Sequence, residues 1–309
     1  MQSTDYELII IGGGPAGLTA GLYAARARLK TILIEKGVVG GQVLVTDWVD
    51  NYPGFVDGIT GFELIEKLDK HVERFGLERK IGEVSSMELD GPVKKIILQD
   101  GAQLTTKTVI LCTGARPNKL GVPGESEFAG KGVSYCATCD GPFYRNREVV
   151  VNGGGNTAIQ EALYLTKFCN KVTVVHRRAE LRATKILQEK AFAEKKIEFI
   201  LNAGVKEIKG DKSGVTGVVL SHNDGRESLV DVTGIFIFIG TKPNNESLPG
   251  SLHFDDAGFL ITDAEMATNL KGVYGAGDIR SKKFRQIINA AGEGATAELS
   301  AEHYLGTLE

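Results

Sequence analysis

The sequence predicts an α/β protein with two doubly wound domains. The same strand–loop–helix pattern occurs twice, 141 residues apart, with its loops starting at Gly12 and Gly153. Glycine is also abundant, at 39 of 309 residues, which is roughly twice its usual share in proteins. Because glycine allows backbone conformations and close approaches that other residues do not, this excess indicates many tight turns.

Each copy of the repeat consists of an apolar run typical of a buried parallel strand, a glycine loop, a helix and a second apolar run. In the first copy the four parts are Leu8–Ile11, Gly12–Gly17, Leu18–Tyr23 and Thr31–Ile34. In the second copy they are Val149–Asn152, Gly153–Ala158, Ile159–Tyr164 and Val172–Val175. The order is that of a βαβ unit, and two such units predict two domains.

The glycine loops favour dinucleotide binding. In this pattern the first glycine forms the turn, the second admits a pyrophosphate, and the third packs helix against strand. The helix N-terminus then offers free N–H groups to the phosphates. One isolated match would also fit an ordinary turn, but here strand and helix flank both loops. The expected contacts are Gly12, Gly14, Pro15, Ala16 and Gly17 in the first copy, and Gly153, Gly155, Asn156 and Thr157 in the second.

The residue that ends the second strand distinguishes the two ligands. Glu35 ends it in the first copy, and a carboxylate there binds a ribose, which favours FAD or NAD. His176 stands at the aligned position, followed by Arg177, Arg178 and Arg182, which favour the 2′-phosphate of NADPH. A solvated basic surface is the alternative explanation. Because an enzyme rarely needs two nicotinamides, we expect FAD in the first copy.

Charge and hydropathy exclude several functions. The formal net charge of −3 gives no reason to expect binding to nucleic acid or to an acidic membrane. No apolar run approaches the roughly 20 residues of a spanning helix. Met1–Glu7 has no basic signal-peptide region, and the apolar run after it is short. We therefore expect a cytoplasmic protein without a membrane segment.

The four cysteines point to redox chemistry. Cys136 and Cys139 form a Cys-x-x-Cys pair, whereas Cys112 and Cys169 are isolated in apolar segments. A zinc site would need further ligands, and the five histidines are scattered, so no metal is expected. Structural disulfides are rare in a reducing compartment, which leaves a redox dithiol. Asp140 is a candidate proton donor and acceptor, or simply the start of a Gly-Pro turn.

Two further segments agree with a flavin site. Val109–Pro117 is typical of a buried strand that ends in a turn at Thr113 and Gly114. Gly272–Asp278 is typical of another strand with a Gly-Asp end. Asp278 is a candidate to bind the ribityl chain of a flavin.

Taken together, the motifs resemble the low-molecular-weight, bacterial-type thioredoxin reductases, which are class II pyridine nucleotide-disulfide oxidoreductases. The matching residues span nearly the whole chain in family order. Besides the two glycine loops they are Gly40-Gly41-Gln42, Asn51–Gly54, Thr113-Gly114, Cys136–Gly141, His176–Arg178 with Arg182, Gly240 with Pro243-Asn244, Gly277-Asp278, Arg285-Gln286 and Ala291–Ala295. The chain departs from the pattern at Asn152, which is usually apolar, and at Gln160, which is commonly Glu.

The resemblance implies a discontinuous FAD domain, residues 1–115 and 246–309, and an inserted NADPH domain, residues 116–245. It also implies a homodimer whose protein substrate is thioredoxin. Segments 116–122 and 240–247 are expected hinges for domain rotation. Further FAD contacts are expected from Lys36, Gly41, Gln42, Asn51, Val84, Thr113, Gly114, Gly277, Asp278, Arg285, Gln286 and Ile287, and a further NADPH contact from Gly240.

The resemblance also gives the cysteines different roles. Hydride would pass from NADPH to the flavin, which reduces the disulfide. Cys139 would lie against the flavin, Cys136 would attack the thioredoxin disulfide, and Asp140 would move the proton.

Three alternatives remain open at this point. The same chemistry could serve a peroxiredoxin, a glutaredoxin-like carrier or a small disulfide. A ferredoxin- or flavodoxin-linked NADP reductase would share the scaffold, although the intact Cys136–Cys139 pair argues against it. A redox-sensing binding protein is the non-enzymatic alternative, which the Arg285-Gln286 segment and both intact glycine loops disfavour.

Overall fold

A computed structural model describes residues 3–46, 48–49 and 51–308, without the side chain of Val45. The strands are β1 Tyr6–Ile11, β2 Thr31–Glu35, β3 Glu78–Ile81, β4 Val84–Glu88, β5 Lys94–Leu98, β6 Gln103–Leu111, β7 Ala115–Pro117, β8 Val133–Ser134, β9 Glu148–Asn152, β10 Lys171–His176, β11 Ile197–Leu201, β12 Ala203–Asp211, β13 Gly214–His222, β14 Glu227–Asp231, β15 Gly234–Ile237, β16 Thr241–Pro243 and β17 Val273–Gly275. The α-helices are α1 Pro15–Ala27, α2 Gly61–Glu73, α3 Ala137–Asp140, α4 Asn156–Leu165, α5 Lys185–Ala193 and α6 Ile287–Gly306. Short 3₁₀ helices lie at Gly41–Val45, Gly141–Tyr144 and Gly277–Ile279.

The chain divides into two units, one of which interrupts the other. The first unit is Met1–Arg116 with Lys242–Glu309, and the second is Pro117–Thr241. The segment after Thr241 belongs to the first unit because Asn244 bonds there: its N–H donates to the Gly114 carbonyl (3.0 Å) and its amide to the Thr113 carbonyl (2.7 Å). The predicted fold class, two doubly wound domains with the second inserted into the first, is confirmed.

The first unit is built on a mixed sheet. Strands β3, β2, β1 and β6 lie side by side in parallel, and β17 also pairs in parallel with β6. Strands β5 and β4 extend the sheet in antiparallel fashion from the first half of β6. The residues of β1 from Leu8 to Ile11 are buried, as parallel strands covered on both faces require.

The second unit repeats the parallel core and adds a small antiparallel sheet. Its five parallel strands run in the order β11-β10-β9-β15-β8. The register repeats that of the first unit, with Val149 opposite Val172 where Leu8 is opposite Thr31. Strands β12, β13 and β14 form the separate three-stranded sheet.

None of the helices in the described segments combines the length and apolar composition needed to cross a bilayer.

Candidate functional site

The first glycine loop connects β1 to α1 in the close packing that the motif predicts. A Cβ on Gly12 would lie 2.3 Å from the Cys112 carbonyl oxygen, and one on Gly17 would lie 1.8 Å from the Gly12 oxygen. Gly14 is different, because a Cβ there would meet no atom within 4 Å. The loop is thus packed tightly against the sheet on one side and open at Gly14, where a pyrophosphate would approach.

The N-terminus of α1 has no side-chain cap, and Pro15 occupies its first turn. By contrast, α2 begins with a capping box in which Thr60 and Glu63 bond each other's backbone N–H groups. The glycine-capped end of α1 therefore keeps its N–H groups and positive dipole end for an anion. Ala16, the next residue, is buried and packs against Gly277, whose Cβ would lie 2.9 Å from it.

Glu35 lies at the end of β2, beside the first glycine loop. Its Oε2 accepts the Gly13 N–H at 2.7 Å and its Oε1 accepts the Gly37 N–H at 3.2 Å. Lys36 follows and is exposed. Val84 begins β4 two residues after Gly82, whose N–H donates to the Glu35 carbonyl at 2.9 Å. The predicted ribose-binding carboxylate is therefore positioned by the loop itself.

The remaining predicted flavin contacts converge on the same unit. Gly41 packs beside the first loop, since its Cβ would lie 3.6 Å from Gly14 Cα, and Gln42 is exposed next to it. The Asn51 amide donates to Gln286 Oε1 at 3.1 Å, immediately before Ile287 starts α6. This helix also begins without a side-chain cap.

The ends of β6 and β17 bring further polar groups to this region. Thr113 follows β6, and its buried Oγ1 has no hydrogen-bond partner in the part of the chain that the structure describes. Gly114 has a φ of +71°.

After β17, Asp278 Oδ1 lies 3.3 Å from Lys282 Nζ. The pKa of Asp278 is raised, because the effect of burial outweighs the opposing effect of Lys282. Arg285 stacks 4.0 Å from the centre of the Phe259 ring. The open side of the loop at Gly14, the uncapped N-termini of α1 and α6, and the unpartnered Thr113 hydroxyl all fit a bound dinucleotide.

The second glycine loop joins β9 to α4 and forms one wall of a cleft within the second unit. A Cβ on Gly153 would lie 2.4 Å from the Phe238 oxygen, whereas one on Gly155 would meet no atom within 4 Å. The helix α4 again lacks a side-chain cap. The cleft is lined by Asn118, Lys119, Leu120, Asn152, Gly153, Gly154, His176, Arg177, Arg182, Gly204, Val205, Phe238 and Ile239.

The cleft carries an uncompensated positive charge. Arg177 and Arg182 line it, and Arg178 lies beside them in the chain. All three are exposed, and none of them forms an ion pair with any residue the structure describes. Beside them His176 is only 5% exposed, and its Nε2 has no hydrogen-bond partner among the described residues. Burial, and after it the three arginines, lower the pKa of His176. Exposed guanidiniums without an ion-pair partner suit an anion such as a 2′-phosphate.

Some predicted nucleotide contacts do not line this cleft. Arg178 is absent from its walls, and its carbonyl accepts the Asn202 N–H. Asn156 and Thr157 are exposed at the start of α4, where Asn156 Oδ1 accepts the Thr184 N–H at 2.8 Å. Gly240 is also absent from the walls, and its carbonyl accepts the N–H of the lining residue Asn118 at 2.9 Å.

Sequence reasoning missed several residues that line the cleft. Phe238 and Ile239 follow β15, and the carboxyl end of a parallel strand is a signal that could have found them. Asn118 and Lys119 lie in a segment that the sequence marked only as a hinge. Gly204 is the second residue of β12 in the small sheet, and no sequence motif marks it as a nucleotide contact.

The cysteine pair lies at the start of α3. Cys136 and Cys139 form a disulfide, and both residues are partly buried. Cys136 is the N-cap of α3, and its Sγ accepts the Cys139 N–H at 3.2 Å. Thr138 Oγ1 lies 3.4 Å from the same sulfur. These donors would stabilise a thiolate on Cys136 after reduction.

Asp140 is tied to the cysteine pair through Ser134. The Ser134 hydroxyl donates to Asp140 Oδ2 at 2.5 Å and accepts the Cys136 N–H at 3.1 Å. Asp140 follows Cys139 in the chain, and Ser134 connects its carboxylate to the backbone of Cys136.

The other two cysteines are core residues, in agreement with the apolar segments in which they lie. Cys112 and Cys169 are buried and free. Burial raises the pKa of both thiols, that of Cys169 to about 11. Among the described residues, no three His, Cys, Asp or Glu side chains are grouped as metal ligands would be.

Comparison with known proteins shows that the chain is similar to one family over most of its length. The chain matches the family model for pyridine nucleotide-disulphide oxidoreductase over residues 6–294. The thioredoxin reductase of Peptoclostridium acidaminophilum is 49% identical over 308 residues, which cover 97% of each chain. That of Listeria monocytogenes is 46% identical over 305 residues, covering 98% of this chain and 95% of its own. A crystal structure of thioredoxin reductase from Streptococcus pyogenes superposes with a TM-score of 0.94, at 44% identity and 98% coverage of both chains.

Proposed function

Since this chain belongs to the pyridine nucleotide-disulphide oxidoreductase family, we propose that it reduces thioredoxin with NADPH, using FAD and the Cys136–Cys139 disulfide as carriers. NADPH, a proton and oxidised thioredoxin give NADP⁺ and reduced thioredoxin. The observation that carries the proposal is the partly buried disulfide, which lies in the same unit as a nucleotide cleft with free arginines. Relatives named thioredoxin reductase, similar over nearly their whole length, support the choice of substrate.

The two cofactors are assigned to different parts of the chain. The unit formed by Met1–Arg116 and Lys242–Glu309 holds FAD, and the unit Pro117–Thr241 holds NADPH. The open face at Gly14, the carboxylate of Glu35 and the orphaned hydroxyl of Thr113 support the first assignment. The unpaired guanidiniums of Arg177 and Arg182 support the second, because a 2′-phosphate binds where charge-assisted hydrogen bonds are available. When bound, these cofactors supply the two electrons that open the disulfide.

The cysteine pair then performs thiol–disulfide exchange. Two electrons and two protons convert the disulfide into the thiols of Cys136 and Cys139. The Cys136 thiolate, stabilised by the Cys139 N–H, attacks one sulfur of the thioredoxin disulfide and forms a mixed disulfide. Cys139 attacks Cys136 Sγ, which releases reduced thioredoxin and restores the starting disulfide. Asp140, held by Ser134, carries the proton between thiol and solvent.

The assembly and compartment are part of the same proposal. Resemblance to the family supports a homodimer, which light scattering on the purified protein would detect. Four cysteines, of which two form one disulfide, are too few for a disulfide-stabilised scaffold, and this supports work in the reducing cytoplasm.

A steady-state assay tests the proposal. NADPH oxidation by the FAD-loaded protein is followed with oxidised thioredoxin, with a peroxiredoxin, with a glutaredoxin-like carrier and with a small disulfide. We expect turnover that depends on thioredoxin and disappears in Cys139→Ser. Turnover with another carrier but not with thioredoxin would move the assignment to that carrier. Unchanged activity in Cys139→Ser would favour an NADP reductase that does not use the pair.

A further inference from the structure

Glu125 is a buried carboxylate outside the motifs described so far. Its side chain is in the second unit, and the residue is only 2% exposed. Three donors reach it: the Leu120 N–H at 2.9 Å and the Tyr135 hydroxyl at 2.8 Å bond Oε1, and the Gly121 N–H at 2.7 Å bonds Oε2. Two backbone N–H groups and a hydroxyl thus satisfy this carboxylate.

The three donors come from two places that matter for the reaction. Leu120 lines the nucleotide cleft, together with the adjoining Asn118 and Lys119. Tyr135 is the residue directly before Cys136. Glu125 therefore bonds a wall of the cleft and the start of the redox segment with one side chain.

The backbone that carries Glu125 is itself fixed. The Ile208 N–H donates to the Pro123 carbonyl at 3.0 Å, which ties the turn to β12. Gly124, with φ of +84°, packs so closely on this strand that a Cβ would lie 2.0 Å from the Ile208 oxygen. Because this turn is anchored, a shift of the Leu120 and Gly121 N–H groups would move the Glu125 side chain and not the Glu125 backbone.

The other end of the link is equally constrained. Tyr135 is partly buried, and burial together with the Glu125 hydrogen bond raises the pKa of its phenol, which keeps it a donor. Ser134 before it pairs in β8 with Phe236 of β15 and bonds Asp140. Tyr135 therefore lies between Ser134, which is held in the sheet, and Cys136.

We propose that Glu125 and Tyr135 are positioning residues that couple occupancy of the nucleotide cleft to the redox equilibrium of the Cys136–Cys139 pair. Nucleotide against the 118–121 wall adjusts the Leu120–Gly121 backbone, and the Glu125–Tyr135 hydrogen bond carries the adjustment to Cys136. Coupling of this kind is reciprocal, so the redox state of the pair also changes nucleotide affinity. The inference rests on the proposed function only in taking the cleft ligand to be NADPH.

The test measures the redox equilibrium of the pair in the FAD-loaded protein. The protein is equilibrated with reduced and oxidised dithiothreitol, the thiols are alkylated, and the peptide with Cys136 and Cys139 is quantified by mass spectrometry. Each titration is run with and without 3-aminopyridine adenine dinucleotide phosphate, a dinucleotide that accepts no hydride. The variant Tyr135→Phe removes only the hydroxyl that reaches Glu125.

Tyr274→Phe in the first unit is the matched control. It also removes one partly buried tyrosine hydroxyl, which donates to the Ser300 carbonyl at 3.1 Å, and it lies outside the Glu125 link. Loss of stability alone would affect both variants, whereas loss of coupling would affect only Tyr135→Phe.

In the unsubstituted protein and in Tyr274→Phe we expect the analogue to change the equilibrium constant at least about fivefold. For a two-electron couple this is about 20 mV. In Tyr135→Phe the change should fall to less than about 1.5-fold, and Glu125→Gln should weaken it similarly. A full analogue effect in Tyr135→Phe, or none in the unsubstituted protein, would overturn the inference. No thioredoxin is present, so this outcome is independent of whether thioredoxin is the substrate.

Discussion

The Ser134 hydroxyl donates a 2.5 Å hydrogen bond to Asp140 Oδ2 and at the same time accepts the N–H of Cys136. One buried serine therefore sets both the backbone before the first cysteine and the carboxylate after the second. The relationship links the two groups that the proposed exchange needs most: an attacking sulfur and a proton carrier.

Ser134→Ala should slow thioredoxin reduction without weakening nucleotide binding. A hydrogen bond to a charged group is worth about 1.5–3 kcal/mol. If half of this is lost in the transition state, kcat falls about 4- to 13-fold. Steady-state kinetics should show this drop with the KM for NADPH unchanged. Ser221→Ala, at an exposed site of β13, is the control. A kcat equal to that of the control would show that Asp140 needs no positioning by Ser134.

Arg177→Ala and Arg182→Ala should each raise the KM for NADPH. Both residues line the cleft and form no ion pair within the described segments, so they are available to a phosphate. One charge-assisted contact is worth about 1.5–3 kcal/mol, which corresponds to an effect of about tenfold or more. The KM for NADH should change little, because NADH lacks the 2′-phosphate.

Arg178→Ala should have a smaller effect, since Arg178 does not line the cleft. Arg145→Ala is a neutral comparison from the same unit, where Arg145 stacks 5.7 Å from the Phe168 ring centre. Equal effects of Arg177→Ala on NADPH and NADH would refute the assignment of the phosphate site.

Gly294→Ala should disrupt the FAD-binding unit. A Cβ at Gly294 of α6 would lie 2.1 Å from the Ala16 oxygen in α1, so the two helices would have to separate near the first glycine loop. We expect less bound flavin, measured as the ratio of absorbance at 450 and 280 nm, and a lower melting temperature.

Gly292→Ala, two residues earlier in α6, is the matched control. Its Cβ would meet no atom within 4 Å, and alanine in a helix is favoured over glycine by about 0.5–1 kcal/mol. This variant should retain its flavin and melt at the same temperature or slightly higher. Normal flavin content in Gly294→Ala would contradict the close helix contact.

Glu298→Gln should flatten the pH dependence of stability. Glu298 of α6 is 1% exposed, and neither oxygen has a hydrogen-bond partner among the described residues. Burial, with a smaller contribution from Glu302, raises the pKa of Glu298 to about 7. In the unfolded chain this carboxyl ionises near pH 4.5, so between pH 4.5 and 7 the unfolded state binds fewer protons and stability falls as pH rises.

The change over this window is about 3 kcal/mol, and it levels off above the folded pKa. Melting curves at pH 5 and pH 8 should therefore differ less in Glu298→Gln than in the unsubstituted protein, by about 4 °C. Glu189→Gln, at an exposed position of α5, should leave the difference unchanged. The same pH dependence in Glu298→Gln as in this control would place the titration elsewhere.

The parts of the site that follow local rules could be predicted from the sequence. Glycine is required at positions 12 and 153, because both have a positive φ and both lie against the backbone that follows a neighbouring strand of the sheet. The positions of these glycines in the sequence therefore predict the two strand–loop–helix units. Glu35 is found at the end of β2, where the repeat placed it. The pairing of Cys136 with Cys139 in one disulfide agrees with their Cys-x-x-Cys spacing.

The parts that depend on pairing between distant segments could not be predicted. The cleft combines Lys119, Gly204 and Ile239, which lie in three segments that only the sheets bring together. Arg178 was expected beside Arg177, but adjacent residues after a strand point in different directions, and only one lines the cleft. The burial of Glu125 is equally invisible in sequence, because its donors are two backbone N–H groups and a tyrosine ten residues away.

Anaerobic titration of the FAD-loaded protein with NADPH tests the central claim most directly. Because the flavin and the Cys136–Cys139 disulfide each accept two electrons, we expect uptake of about four electrons per subunit. Cys139→Ser should take up only about two, and oxidised thioredoxin added to the reduced unsubstituted protein should restore the oxidised flavin spectrum. Uptake of only two electrons by the unsubstituted protein, or a reduced flavin that thioredoxin does not reoxidise, would contradict the account.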